Sequence, residues 1–226
     1  MLLVKFKKVG SFAFCSYLNC RDVIIQTIKR AGISIEYSQG FNPHELLYFS
    51  PPTSLGIESE CEYFTVYTND IDNFVAKFNE KAPSGVQALW AKEINKRPDF
   101  YNLVDFAKFE IEVLSPDLLI DLNKLNYIVF DDKKQCDVDI EKLIKSISFN
   151  DNKFECIVSC GQKNNLKIMN LVKCLKQSYS LEIQNIKKIE LYKENLKDDC
   201  EQIQGSGNSN CKFAMQNNLI IVDSLL

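Results

Sequence analysis

The stretch from residue 37 to residue 60 holds the residue types that could bind or transform a ligand. Three of the six prolines and two of the eight glycines fall in it. Proline fixes the backbone angle φ and glycine allows close backbone approach, so this loop is stiff and shaped. Stiff loops on a sheet scaffold often carry binding residues. The candidate ligand contacts are Tyr37, Ser38, Gln39, Gly40, Phe41, Asn42, His44, Glu58 and Glu60.

His44 is the only histidine and the candidate for acid–base catalysis. A general base needs a pKa near neutrality and a proton within reach, and the sequence places no acid, nucleophile or metal ligand at a spacing that pairs with this ring. In the catalytic interpretation, His44 is the acid or base, and Ser38, Gln39 and Asn42 orient the substrate. In the structural alternative, the ring only forms a hydrogen bond, the prolines and asparagines build turns, and the aromatic residues cover the core.

Nine cysteines raise the question of a metal or iron–sulfur site. Cys156 and Cys160 show the first spacing of a CxxxCxxC cluster motif, but the third position is Lys163. Zinc sites use CxxC or HxxxH spacing with about four ligands, and neither spacing occurs in this sequence. Reduced cysteine packs as a small hydrophobic residue. The sequence therefore predicts that the cysteines pack in the core, and it predicts no metal and no cofactor.

Positive charge is concentrated at the N-terminus, although the chain as a whole is mildly acidic. The formal net charge is −3 and the pI is near 5.4, which argues against indiscriminate binding to nucleic acid or anionic membranes. Residues 1–31 carry six cations against one anion, a local charge of +5. The candidate contacts to an RNA backbone are Lys5, Lys7, Arg21, Lys29 and Arg30. The alternative is an ordinary solvated helix face.

Neither a membrane span nor a signal peptide is predicted. The longest aliphatic run, Leu219–Val222, is too short to cross a bilayer. The N-terminus alternates between apolar and basic residues and lacks the continuous apolar core of a signal peptide. The nine cysteines are an odd number, and their spacing shows no disulfide framework. We therefore expect a cytoplasmic protein.

The first half of the chain alternates between strand and helix patterns. Residues 2–8 alternate as a strand, and Ser16 can cap a helix whose inner face repeats through Tyr17, Cys20, Ile24, Ile28 and Ala31. Glycine accepts the left-handed conformation that closes a helix, so Gly32 predicts its end. The further predicted elements are an extended run Phe12–Cys15, strands Ile33–Tyr37, Glu62–Tyr67 and Val86–Ile94, and a helix Ile71–Lys81.

The second half repeats a similar order after a linker at Lys96–Asn102. Its predicted elements are strands Phe106–Leu114, Tyr127–Phe130, Cys136–Ile140, Phe154–Cys160 and Ile186–Tyr192, and helices Pro116–Leu125 and Leu166–Gln177. Two successive βαββαβ halves are typical of ferredoxin-like units. We therefore expect an α+β protein of two tandem ferredoxin-like units, 1–95 and 103–194. Residues 195–226 would form a polar linker and then an edge strand at Leu219–Val222, with docking of that run on a partner as the alternative.

The octapeptide YSQGFNPH (residues 37–44), followed by SPPTSLGIESECEYF (50–64), resembles the core signature of the radical SAM-linked protein family. That family is a bacterial domain of unknown function, encoded beside or fused behind a radical SAM enzyme. The resemblance covers residues 1–95 well and the rest mainly by element order. Tyr17 and Asn19 stand where members show histidine and aspartate, and Leu46 replaces a basic residue.

The resemblance implies a radical SAM enzyme as partner. The departures from the family pattern weaken the argument for catalysis more than the argument for binding. The leading hypothesis is a non-catalytic accessory protein that binds RNA or another substrate for that enzyme. A second hypothesis is an RNA-modifying or RNA-processing enzyme that uses His44. A third is a structural module whose apolar tail, residues 219–222, docks on another protein.

Overall fold

The first strand, β1 (Leu2–Lys8), places Leu2, Val4 and Phe6 on one face, where they join the core beneath two helices. In the computed structural model, the described residues are 1–114, 120–131, 135–162, 164–195, 211–212 and 219–226. They form two compact units, Met1–Phe100 and Tyr101–Leu226. Both units combine an antiparallel sheet with helical segments, so the chain is an α+β protein. The expected units, 1–95 and 103–194, fall inside these limits.

In the first unit, four strands pair antiparallel in the order β2-β3-β1-β4. The remaining strands are β2 (Leu47–Phe49), β3 (Glu58–Val66) and β4 (Val86–Glu93), and the helices are α1 (Tyr17–Arg30) and α2 (Phe74–Lys81). A short helix, α3 (Phe100–Leu103), leads into the second unit. Strands that are adjacent in this sheet are mostly distant in the chain, so the sheet holds the unit together through long-range contacts.

An aromatic cluster around Phe64 forms the centre of this unit's core. Phe64 is fully buried on β3, and its ring lies 5.6 Å from Phe6, 5.8 Å from Phe49, 6.5 Å from Phe74 and 6.1 Å from Phe78, centroid to centroid. These rings come from β1, β2 and α2. Aromatic pairs at such separations add stabilisation beyond the area that they bury. Helix α1 completes the core with its own buried side chains, Cys20, Ile24 and Ile28.

The capping of α1 is confirmed. The Ser16 hydroxyl accepts a hydrogen bond from the Asn19 N–H at 3.2 Å, which satisfies one of the donors that a helix N-terminus leaves free. The helix ends at Arg30, and Gly32 follows with φ of +69°. On the predicted inner face, Tyr17 at the first turn stays 44% exposed, and its ring lies 5.8 Å from that of Phe49.

Two predicted extended segments of this unit are wrong. Residues Gly10–Phe14 form a 3₁₀ helix in place of the run Phe12–Cys15, and the Cys15 N–H donates to the Phe12 carbonyl at 2.9 Å. Residues 33–37 form only an isolated bridge between Tyr37 and Glu45. There the Asp70 carboxylate accepts from the Ser34 N–H at 2.7 Å, so a side chain takes a backbone donor that a strand would have used.

The second unit has the same relative strand order as the first. Strands β5 (Phe106–Val113), β8 (Ile144–Asn150), β9 (Lys153–Ser159) and β10 (Ile183–Glu194) pair antiparallel in the order β8-β9-β5-β10. One helix, α4 (Ile168–Tyr179), connects β9 to β10. The segment β11 (Cys211–Lys212) pairs with β8.

The segment between β5 and β8 departs from the prediction. Strands β6 (Ile128–Asp131) and β7 (Cys136–Asp139) exist, but they pair with each other in a separate two-stranded sheet. The sheet strand is β8, which the sequence analysis missed because its buried residues, Ile144 and Ile147, do not alternate regularly. Part of the predicted helix Pro116–Leu125 lies outside the described residues, and the rest contains a 3₁₀ turn at Leu122–Lys124.

The apolar tail belongs to the second unit's sheet. Strand β12 (Leu219–Ile221) pairs antiparallel with residues Tyr192–Glu194 of β10. One edge of this strand is therefore paired within the chain. The polar linker expected at residues 205–210 lies outside the described residues.

The buried cysteines behave as hydrophobic core residues. Cys20, Cys61, Cys156 and Cys174 are buried. Burial raises the pKa of both the Cys20 and the Cys156 thiols to about 12, so both stay protonated and unreactive at neutral pH. Across the part of the chain that the structure describes, no helix is both long and apolar enough to cross a bilayer.

The Phe64 cluster gives a direct stability test. We expect Phe64→Ala to lower the free energy of unfolding by about 3–5 kcal/mol, because it leaves a cavity among four rings. The matched control is Phe41→Ala, which removes a fully exposed ring and should change the free energy by less than about 0.5 kcal/mol. Urea denaturation of both variants measures this difference. Equal effects would show that the cluster is not the centre of the core.

Candidate functional site

The segment from Ser38 to His44 closes into a turn, and four contacts hold its base. Tyr37 and Glu45 form an antiparallel bridge. The Ser38 N–H donates to the His44 carbonyl at 2.9 Å, and the His44 N–H donates to the Ser38 hydroxyl at 3.1 Å. The same hydroxyl lies 2.8 Å from Nδ1 of the His44 ring. The base of the turn is therefore fixed by both backbone and side-chain contacts.

The imidazole of His44 is part of this closure. It lies at the surface, and the bond to Ser38 is the one hydrogen bond that its ring makes among the residues the structure describes. Among those same residues, the structure contains no cluster of three or more His, Cys, Asp or Glu side chains that could hold a metal ion. The geometry thus gives His44 a positioning contact, with Nε2 left for a ligand.

The tip of the turn presents an aromatic ring to solvent. Gly40 has φ of +132°, a backbone conformation that residues with a side chain rarely adopt. The following Phe41 is fully exposed, and the neighbouring Gln39 and Asn42 are exposed as well. The structure therefore brings six of the predicted site residues, Ser38, Gln39, Gly40, Phe41, Asn42 and His44, to one turn, and Tyr37 lies at its base.

An ion-pair cluster fixes the turn to helix α1. The Glu45 carboxylate lies 2.7 Å from Lys29 Nζ and 3.7 Å from Arg21 Nη2. The Lys29 ammonium also lies 5.6 Å from the centre of the Tyr37 ring. The hydrogen bond to Lys29 lowers the pKa of Glu45, and the same bond raises the pKa of Lys29. Sequence analysis missed the role of Glu45, because its pairing with two cations of α1 depends on the fold.

These pairs change the role of two predicted RNA contacts. Lys29 is hydrogen-bonded to Glu45, Arg21 forms an ion pair with it, and Arg21 also pairs with Asp22 at 3.3 Å. Arg30 is exposed, with one guanidinium nitrogen 3.4 Å from the Thr27 hydroxyl. Much of the positive charge on this helix is therefore balanced within the protein.

The two predicted lysines of β1 lie away from the turn. Lys5 is only 6% exposed, and its ammonium lies 5.7 Å from the centre of the Tyr63 ring. Side chains alternate along a strand, so Lys5 is on the face opposite Leu2, Val4 and Phe6. Lys7 is half-buried. The structure does not bring Lys5 to the exposed turn.

The predicted acids of the site lie at the other end of strand β3. The turn adjoins the end of β3, where the Tyr67 N–H donates to the Leu46 carbonyl at 3.0 Å. Glu58 is the first residue of the strand and Val66 the last. At the usual rise per strand residue, their Cα atoms are about 26 Å apart. The Glu58 carboxylate accepts from the Gly10 N–H at 2.6 Å, and Glu60 is half-buried nearby in sequence.

The family of the chain follows from a match that spans the whole first unit and part of the second. The chain belongs to a family described as an uncharacterized protein conserved in bacteria (DUF2344), whose model matches residues 1–168. A comparison with curated proteins finds no match. The turn described above lies inside the matched region.

We expect Glu45→Gln to loosen the turn from α1 because it removes two charge interactions. The loss in the free energy of unfolding should be below about 1 kcal/mol, as for other surface pairs. The pKa of Glu45 is lowered on folding, so its contribution is complete above its ordinary value of 4.5 and disappears as the pH falls through the folded value. In Glu45→Gln, this part of the decrease in the free energy of unfolding at acid pH should be absent.

Hydrogen exchange of the Ser38 amide, which bonds to the His44 carbonyl, reports the loosening directly. It should accelerate in Glu45→Gln. Glu80→Gln is the matched control, because it also removes an exposed carboxylate paired with a lysine, at 2.6 Å from Lys81. Identical exchange in both variants would contradict a role for Glu45 in holding the turn.

Proposed function

We propose that the protein is a cytoplasmic accessory protein that binds RNA and presents it to a radical SAM enzyme. The observation that carries the proposal is Phe41, a fully exposed ring at the tip of a turn whose base is fixed. The partner class comes from the resemblance of residues 37–44 and 50–64 to the radical SAM-linked family. The match to a bacterial family over residues 1–168 is compatible with that resemblance.

A fixed turn with an exposed aromatic tip is suited to binding. Burying a phenylalanine side chain is worth about 1.5–3 kcal/mol, and this gain is available to Phe41 only when a ligand covers it. The turn is already closed by the Ser38 and His44 contacts, so little conformational entropy is lost when it binds. Aromatic residues in such positions contribute strongly to interfaces.

The groups around Phe41 favour RNA as the ligand. Single-stranded RNA exposes bases that stack on aromatic rings and accept or donate hydrogen bonds at their edges. Gln39, Asn42 and His44 supply amide and imidazole groups beside the ring. Because Glu45 balances Lys29 and Arg21, we expect few phosphate contacts and a weak dependence of affinity on salt.

We also propose that residues 1–95 and 103–194 are two ferredoxin-like units. The support is the common strand order, β2-β3-β1-β4 in one unit and β8-β9-β5-β10 in the other. The first unit has helices at both expected places, α1 between β1 and β2 and α2 between β3 and β4. In the second unit, α4 takes the place of α2, between β9 and β10.

The test of the binding proposal compares two exposed phenylalanines. Phe41→Ala should reduce crosslinking of the protein to cellular RNA about tenfold or more, the equivalent of about 1.4 kcal/mol. Phe14→Ala is the matched control, because Phe14 is 73% exposed in the same unit but lies in the 3₁₀ helix, away from the turn. The control should crosslink like the wild type. Equal crosslinking of all three proteins would contradict the role of the turn.

The partner is tested separately. A radical SAM enzyme from the same organism should co-purify with the protein when both are expressed together. A protein that never associates with that enzyme, while RNA crosslinking remains, would remove the partner and leave the binding role.

The Ser38–His44 contact at 2.8 Å favours one second candidate, an RNA-modifying or RNA-processing enzyme with His44 as acid or base. In that case His44→Ala abolishes turnover of the bound RNA and leaves binding intact. His44→Asn keeps a hydrogen-bonding atom near the position of Nδ1, and it separates the two roles: it should preserve the turn but not the acid–base chemistry. Unchanged turnover in His44→Ala would exclude catalysis by this residue.

A further inference from the structure

The second unit contains a cleft of about 350 Å³ that is separate from the turn at residues 37–45. It lies where β5 begins and where β9 and β10 end, beside the last residues of α3. Its volume is in the range of pockets that hold small molecules. Five features of its wall indicate what kind of molecule would fit: paired charges, free carboxamides, a buried hydroxyl, flat rings and a glycine.

The charged groups at the cleft are neutralised by one another. Lys193 Nζ lies 3.0 Å from the Asp105 carboxylate and donates to the Asn102 carbonyl at 2.7 Å. Lys145 Nζ lies 2.8 Å from the Glu194 carboxylate. The Asp105 carboxylate also accepts from the Glu194 N–H at 3.0 Å. A phosphate or carboxylate ligand would have to break these pairs, so the cleft favours an uncharged ligand.

Several polar side chains of the wall have hydrogen-bonding capacity to spare. The carboxamides of Gln162 and Asn164 are exposed and make no hydrogen bond to any residue that the structure describes. Ser159 is only 7% exposed, and its hydroxyl likewise has no partner in the described ranges. Each carboxamide can donate and accept at once. A ligand that offers adjacent donors and acceptors would satisfy all three.

Flat rings and a glycine complete the wall. Tyr101 is 61% exposed at the rim, and Phe106 is half-buried with the Lys145 ammonium 4.6 Å from its ring centre. A Cβ atom on Gly161 would lie 3.0 Å from the Val104 carbonyl oxygen, so the close approach of these two segments favours glycine at this position. The ring of Tyr101 can therefore stack on a planar ligand whose edge reaches the carboxamides.

We propose that this cleft binds a nucleobase. A base is planar and uncharged, and its edge carries neighbouring donors and acceptors that asparagine and glutamine match in pairs. Gln162, Asn164 and Ser159 bind that edge, and Tyr101 stacks on its face. The base belongs either to a free nucleoside or to an RNA strand. This site goes beyond the proposed function, because it lies in the other unit and uses none of the turn's residues.

The test uses the full-length protein and two kinds of probe. The four ribonucleosides and single-stranded hexaribonucleotides are titrated by ligand-observed NMR and calorimetry, with ribose 5-phosphate as a probe that lacks the base. We expect saturable binding of at least one base-containing probe and none of ribose 5-phosphate. Nucleoside binding identifies a free-base site, and binding of the hexaribonucleotide alone identifies a base within a strand.

Variants assign the binding to the cleft. The double variant Gln162→Ala with Asn164→Ala, and separately Tyr101→Ala, should each weaken binding at least tenfold. The matched control is Gln87→Ala, which removes an exposed carboxamide from β4 of the first unit and should have no effect. These substitutions are at the surface and leave the fold intact.

The result that would overturn the proposal is binding that is unchanged in both cleft variants, or the absence of binding by every base-containing probe. If ribose 5-phosphate, which lacks a base, displaced the base-containing probes as strongly as a nucleoside does, the proposal would be overturned as well. The cleft variants should weaken binding by the same factor when Phe41 is also replaced by alanine. This comparison shows separately whether the turn contacts RNA and whether the cleft binds a base.

Discussion

Burial of the Phe64 ring is the constraint on which the first unit depends. The ring is in contact with aromatic side chains from β1, β2 and α2, and helix α1 packs on the same core. The segment between residues 31 and 46 therefore runs from one well-anchored element, α1, to another, β2. With both ends held by the core, the short contacts between Ser38 and His44 are enough to close the turn. The exposure of Phe41 is a consequence of that closure.

The ion pairs of Glu45 link the turn to the helix and also alter the charge that the helix presents. The local charge of +5 in residues 1–31 suggests a basic surface. In the structure, Lys29 and Arg21 face Glu45, and Lys5 is buried against Tyr63. The cations of this segment thus serve mainly to position the turn and to fill the interior. A role in RNA binding consequently rests more on stacking and amide groups than on phosphate contacts.

The regular elements were largely predictable, and the errors have physical causes. The amphipathic pattern and Ser16 cap identified α1, and alternation identified β1, because both signals come from neighbours in the chain. The segment 33–37 has the composition of a strand, but the distant Asp70 takes a backbone donor there. Strands β6 and β7 were recognised, yet their partners were not, because pairing depends on contacts across the whole unit. Strand β8 lacks a regular alternation and was missed.

The sequence by itself determined the contents of the turn: stiff proline and glycine positions, a phenylalanine at the tip, and a serine and histidine six residues apart. Only the tertiary structure decided which residues meet. It placed Glu58 at the far end of β3, paired Glu45 with two cations of α1, and assembled the polar cleft from three separate parts of the second unit. The physical reason is that local propensity acts over a few residues, whereas burial and charge pairing depend on segments that are distant in the chain.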